Sequence, residues 1–272
     1  MVGICRMKLG KILILQVWVV VALLSAQAFA APPDALPDGG GGNVVAVMDG
    51  DSLRLENTKT DVRMLAIQAP KLPKGRKGFT PWPEGAGAQA ALTALVKGHK
   101  VTLRLGTTPR DRNGRILAHV VRDDGLWLQE ELLREGWVRV YTFPDNRQFA
   151  AELLKAEQEA RAAHRGIWAD AVYAVRSADP VALAKDIGTF QIVEGRVVTT
   201  SKVRGRVYLN FGEDFRTDFT ATIPPDVVPL FTKAKLNPLT LKDRVVRVHG
   251  YVRSYNGPVI DLSHPEQIEI LP

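Results

Sequence analysis

Three short stretches carry the side chains best placed to do chemistry, and they come in a fixed order. Asp49-Gly50-Asp51-Ser52 sets carboxylates at a tight turn, Val62-Arg63-Met64-Leu65-Ala66-Ile67 places a guanidinium in an apolar run, and Arg110-Asp111-Arg112-Asn113-Gly114-Arg115 ends on another guanidinium. A carboxylate suits a hard divalent cation. Guanidinium groups suit a phosphodiester, because each presents a planar fork to phosphate oxygens. Together the stretches offer a carboxylate and two guanidinium groups, a set suited to a metal ion and a phosphodiester.

The loop Lys71-Leu72-Pro73-Lys74-Gly75-Arg76-Lys77-Gly78-Phe79-Thr80-Pro81-Trp82 adds a second pattern. Cations such as Lys71, Lys74, Arg76 and Lys77 can track a phosphate backbone while a ring such as Trp82 stacks on bases. A solvated, proline-stiffened loop has the same composition. The five histidines are scattered without metal-ligand spacing.

Positioning these groups falls to a strand-rich frame. Residues 44–48, 52–56 and 61–67 read as strands, the first two joined through the hairpin dipeptide Asp49-Gly50. Residues 70–87 read as a long loop and 88–96 as a helix stopped by Gly98. Strands are expected at 101–105 and 116–122, and helices at 128–140 and 147–165, with Gly166 closing the last. Three strands, a helix and two strands is the order of an OB-type barrel. The same order returns between residues 190 and 262. The expected fold is mainly β with α: an OB-type five-stranded barrel with three helices (44–170), a linker (171–187) and a second small OB-like barrel (188–272).

Residues 1–30 read as a signal peptide, with Arg6, Lys8 and Lys11 ahead of the apolar run Ile12 to Leu24 and a small-x-small site at Ala28-Phe29-Ala30. That run is short for a bilayer, which needs about 20 residues. The mature protein is expected to be periplasmic or extracellular with no stable membrane span, beginning in a flexible leader (31–43). Cys5, the only cysteine, lies in the signal, which excludes disulfides and Cys-ligated zinc from the mature chain. The signal carries three of the 36 basic residues and no acidic ones, so the mature balance is 33 − 29 = +4. That permits a polyanionic partner without demanding one.

Five motifs in order, Asp49-Gly50-Asp51-Ser52, Val62-Arg63-Met64-Leu65, Asp111-Arg112-Asn113-Gly114-Arg115-Ile116-Leu117-Ala118, Leu132-Leu133-Arg134-Glu135-Gly136 and Gly166-Ile167-Trp168, resemble those of the staphylococcal nuclease (thermonuclease-like) family. The C-terminal part resembles, more loosely, the accessory OB-like domain that follows such a domain in some bacterial exported proteins. The resemblance implies that Asp51 binds Ca2+ or another divalent cation and that Arg63 and Arg115 grip the scissile phosphate. It also implies a D-T-P-E run where this chain has Gln68-Ala69-Pro70-Lys71. The family's second calcium ligand thus becomes Gln68, which retains only a neutral amide oxygen for the metal. Its water-activating glutamate becomes Lys71. A lysine of ordinary pKa, about 10.4, is a cation at neutral pH and cannot take a proton from water. Loss of a general base costs about 10²–10⁴-fold.

Three functions follow as expectations. The first is an exported phosphodiesterase acting on DNA or RNA with an incomplete carboxylate set. The second is a catalytically degenerate module that binds nucleic acid or another polyanion. The third is a protein-binding structural module, since OB-like barrels host unrelated functions.

Overall fold

The structure, a computed structural model, describes residues 33–272 apart from 74 and 76. The expected signal peptide, and Lys74 and Arg76 of the cationic loop, lie outside the described residues.

The N-terminal part contains β1 (Asp38–Asp49), β2 (Ser52–Leu55), β3 (Val62–Met64), β4 (Ile67–Gln68), α1 (Gly85–Val96), β5 (Lys100–Arg110), β6 (Ile116–Arg122), α2 (Leu128–Arg134), β7 (Arg139–Val140) and α3 (Ala150–Ala162). Strands β1-β2-β3-β6-β5 close into a barrel, with β3 and β6 parallel and the other neighbours antiparallel. The closed five-stranded barrel with three helices matches the expected order. Alternation sets its two faces: Leu53, Val62 and Met64 are fully buried inside, while Arg63 between them points out. Helices α1 and α2 bury Ala88, Leu92, Leu128, Leu132 and Leu133 against the same core.

Two local expectations fail for physical reasons. The leader is not flexible throughout: β1 begins at Asp38, and its Gly41 and Gly42 pair with Thr102 and Val101. A Cβ at Gly41 would meet the Val101 carbonyl oxygen at 2.2 Å, so glycine here permits close backbone approach instead of conferring mobility. The helix expected over 128–140 stops at Arg134. Gly136 adopts φ +81° and turns the chain into β7, which pairs with β4.

The C-terminal part holds β8 (Arg176–Ser177), α4 (Pro180–Leu183), β9 (Phe190–Arg196), β10 (Thr199–Val203), β11 (Arg206–Asn210), β12 (Thr220–Ile223), α5 (Val228–Lys233), β13 (Val245–Tyr251), β14 (Arg253–Ser254), β15 (Pro258–Asp261) and β16 (Ile268–Ile270). Instead of one closed ladder it forms two sheets, β10-β11-β12-β15-β14 and β16-β13-β9-β8, around a shared core that includes Phe219, Phe231 and Ile260. The expected linker is structured, because β8 adds in parallel to β9 and Asp179 caps α4.

The two parts meet through β7, α3 and the rings beyond. Arg161 on α3 reaches Glu269 at 2.9 Å, Arg147 reaches Glu266 at 2.9 Å, and the Tyr141 ring centroid lies 5.1 Å from that of Phe190. No helix among the described residues is long and apolar enough to cross a membrane.

Buried ionisable groups make this fold acid-sensitive. Burial holds His119, packed edge-on to Trp127 and Phe149, neutral down to about pH 3. Burial, with help from Arg147 and His249, lowers His264 to about 4. Burial works against Glu269, yet its hydrogen bond from His249 and the charges of His249 and Arg161 hold it at about 2. All three folded pKa values lie below the unfolded ones, so protons bind the unfolded chain first as pH falls. Stability is expected to be full above about pH 6.5 and to decline below it, with the histidines acting first and Glu269 joining below about 4.5. Each group titrating only in the unfolded chain contributes up to about 1.4 kcal/mol per pH unit. Glu157, raised chiefly by burial, opposes part of this loss. Urea midpoints measured from pH 8 to pH 3 should show the decline beginning near 6.5. A flat profile down to pH 5 would contradict it.

Candidate functional site

The site is built where β1 turns into β2 and where the chain leaves β4. The Asp49 carboxylate accepts from the Asp51 N–H at 3.2 Å and from the Ser52 hydroxyl, which fixes the turn. A Cβ at Gly50 would lie 2.6 Å from Ala88 and 2.8 Å from Ala69, so only glycine lets the turn sit against α1 and the segment after β4. These contacts press the Asp51 side chain into the protein, leaving it 1% exposed.

Three donors converge on one oxygen of that carboxylate. Asp51 Oδ2 lies 2.7 Å from the Ala69 N–H, 2.8 Å from Lys71 Nζ and 3.1 Å from an Arg63 terminal nitrogen. Its other oxygen, Oδ1, is buried and has no hydrogen-bond partner among the described residues. Arg63 is as fully committed. One terminal nitrogen donates to the carbonyls of Asp51 (3.1 Å) and Met64 (2.7 Å), the other to that of Ile67 (2.7 Å). The guanidinium therefore laces together the β1–β2 turn and the β3–β4 turn, where Ala66 is held at φ +61°. Burial pulls the Lys71 ammonium below the usual lysine range, and the facing Asp51 carboxylate opposes that pull.

The remaining sequence candidates divide. Gln68 is turned away from Asp51: its Oε1 accepts two N–H bonds from Arg139, at 2.6 and 3.0 Å. Arg115 is gripped by Asp111, whose Oδ2 lies 2.7 Å from both Nε and a terminal nitrogen. Its side chain is 34% exposed. Burial opposes ionisation of Asp111, but the Arg115 side chain and N–H and the Asn113 N–H hold its carboxyl below the usual range. The Ile116 N–H bonds the Asp61 carbonyl, and Leu117 pairs with Arg63. Arg115 thus stands just ahead of β6, two residues before Leu117, the register partner of Arg63. Lys77 is exposed, and Trp82 folds back so that its N–H bonds the Lys71 carbonyl at 2.9 Å.

A calcium ion does not fit these donors. Calcium needs six to eight oxygens, several of them anionic. Here one carboxylate faces two cations, Gln68 points to Arg139, and the turn carbonyls of Asp51, Met64 and Ile67 already accept from Arg63. Asp51 Oδ1, which has no hydrogen-bond partner among the described residues, is a single oxygen beside two cations, so the cluster offers little to a cation within it.

Two residues that the sequence did not single out belong to this region. Asp49 orders the turn. Arg139, flanked by Val138 and Val140, carried no such signal: buried neighbours on a strand predict an outward side chain, and its 7% exposure comes from the covering C-terminal part, where it bonds the Phe190 carbonyl.

The barrel, its helices and the ordered motifs define a nuclease-type OB fold. Comparison agrees: the staphylococcal nuclease homologue family matches residues 61–170. An uncharacterized endonuclease of Escherichia coli is 30% identical over 132 residues, covering 48% of this chain and 78% of that protein. The chain belongs to the staphylococcal nuclease family. It is also similar to endonuclease YncB (34% over 130 residues, 46% of this chain and 60% of that protein) and to the SPbeta prophage-derived endonuclease YokF (35% over 125 residues, 44% and 41%), both of Bacillus subtilis. It thus spans only about half the length of these two relatives. The C-terminal sheets lie outside the family match, and only the family suggests a divalent cation.

Proposed function

We propose that this is an exported nucleic-acid-binding member of the nuclease family in which Lys71 takes the part of a divalent cation at Asp51. The observation that carries the reading is the Lys71 Nζ–Asp51 Oδ2 ion pair, 2.8 Å long and largely enclosed. Lys71 and Arg63 offset the charges of Asp51 and of the adjoining Asp49, so the cluster needs no divalent ion to balance it. The partly exposed Arg115 and the exposed Lys77 are cations open to a phosphodiester backbone. In this reading Arg115 is the phosphate contact. Arg63, with its terminal N–H groups spent on carbonyls and Asp51, is a positioning residue. Hydrolysis by the calcium-assisted route is not supported, because Lys71 stands where the water-activating carboxylate is expected and already donates to Asp51.

The test is binding of a fluorescent single-stranded oligonucleotide, followed by anisotropy with calcium and with EDTA, beside plasmid cleavage under the same conditions. Binding is expected to be indifferent to EDTA and to weaken with added salt. Arg115→Ala should reduce the slope of log affinity against log salt by about one. Binding that requires calcium, or calcium-dependent cleavage lost on Asp51→Ala, would overturn the proposal.

A further inference from the structure

Arg139 is a buried cation of unusual standing in this molecule. It is 7% exposed, yet no carboxylate among the described residues lies within ion-pairing distance of it. Other enclosed arginines are matched: Arg134 by Glu130 and Glu131, Arg161 by Glu269, Arg63 by Asp51. A buried charge without a counterion is costly and persists only where something else compensates it. Part of that compensation is visible. The guanidinium carbon lies 4.5 Å from the Phe190 ring centroid and 5.7 Å from that of Trp82. Three of its five N–H groups are spent, two on the Gln68 amide oxygen and one on the Phe190 carbonyl at 3.1 Å. Among the described residues two N–H groups remain without an acceptor, one on each terminal nitrogen, so the guanidinium can still donate to an anion. Burial brings the group down to about 10, so it stays charged at neutral pH.

Beside Arg139 is a cleft of about 230 Å³ between the barrel and the C-terminal sheets, lined by Trp82, Tyr173, Phe190, Gln191 and Tyr251 among others. Its walls are flat rings. Trp82 and Tyr251 stand partly exposed at the mouth, and Phe190 and Tyr173 are buried within. The volume is below the range of about 300–1,000 Å³ typical of drug-sized ligands, so it takes one ring system, not a run of them. The cleft also borders the first site through the chain itself. Gln68, which holds Arg139, is the neighbour of Ala69, whose N–H holds Asp51.

From this geometry we infer that the cleft between the barrel and the C-terminal sheets binds one nucleotide, its base against the aromatic wall and its phosphate on Arg139. Aromatic stacking tolerates any base, and the guanidinium counters the negative charge that a nucleotide carries and a bare ring does not. The inference rests on reading the chain as a nucleic-acid binder, and it gives the C-terminal sheets a part in that binding.

The test titrates the full mature chain with deoxynucleoside 5′-monophosphates, the matching deoxynucleosides and inorganic phosphate, read by calorimetry. Monophosphates are expected to bind, with nucleosides and phosphate each weaker. Trp82→Ala, at a partly exposed ring, and Arg139→Met should each weaken the monophosphate by about tenfold or more, with urea unfolding of each variant showing that it is folded. Absence of monophosphate binding, binding indifferent to both variants, or phosphate alone binding as tightly as the nucleotide would overturn the inference. Salt-dependent oligonucleotide binding through Arg115 is measured in parallel. If it persists while the cleft binds nothing, the cleft assignment alone fails; if it too is absent, the proposed function fails with it.

Discussion

Asp51→Ala is expected to destabilise the protein by about 3–5 kcal/mol, even with EDTA present, because it removes the shared partner of two enclosed cations. Lys71 Nζ and Arg63 would face each other across the space the carboxylate leaves, and the Ala69 N–H would lose its acceptor. The sign separates two accounts of the site. A carboxylate waiting for a metal gains nothing from its neighbours in EDTA, so its removal would be neutral or favourable there. A carboxylate already neutralised by Lys71 and Arg63 is part of the folded frame. Asp51→Asn keeps acceptors for Ala69 and Lys71 but not the charge, and should lose less than Asp51→Ala. Urea unfolding of both variants in EDTA measures the difference. A loss below about 1 kcal/mol for Asp51→Ala would show that the ion pair is not structural.

The second large effect is a gain. Lys71→Ala, and more strongly Lys71→Glu, should create calcium affinity that the parent lacks. The Lys71 ammonium lies 2.8 Å from Asp51 Oδ2, where a bound divalent ion would also have to lie. Two unit charges about 4 Å apart interact by roughly 4 kcal/mol at an effective dielectric constant of 20, so removing the ammonium should improve calcium binding by about a hundredfold or more. Without metal, Lys71→Ala should cost roughly 1–3 kcal/mol, less than the Asp51 change because its side chain is 25% exposed. Calcium should restore part of that loss by binding the folded form. Adding Gln68→Asp to Lys71→Glu is expected to contribute little further affinity, because Arg139 would capture the new carboxylate as it holds the amide oxygen now. Calorimetric calcium titrations of the parent, Lys71→Glu and the double variant test this ranking. A parent that binds calcium as tightly as Lys71→Glu would refute it.

The barrel was legible because its signals are local. Asp49-Gly50 and Asn113-Gly114 mark turns, alternation marks β2 and β3, and Gly166 closes the chain after α3. Asp51, Arg63 and Lys71 could be singled out by motif. Their mutual pairing could not, because the 2.8 Å contact joins residues 20 apart across a turn that only tertiary packing closes. Gln68 shows the same limit. Its neutral amide reads as a metal ligand until Arg139, 71 residues away, is found to hold it. The glycine run after Asp38 was misread because composition reports backbone freedom, whereas the close approach at Gly41 depends on a partner strand. The C-terminal order of elements was readable, but the division into two sheets was not. Which strand neighbours which is set by long-range pairing such as β9 with β13.

The central claim is that Lys71 supplies the cation at Asp51. Its most direct measurement is a crystal structure of the protein grown with calcium in excess, with anomalous scattering used to locate the ion. The account predicts Lys71 Nζ at the Asp51 carboxylate and no calcium peak between Asp51 and Gln68. A calcium ion on Asp51, with Lys71 swung into solvent, would contradict it.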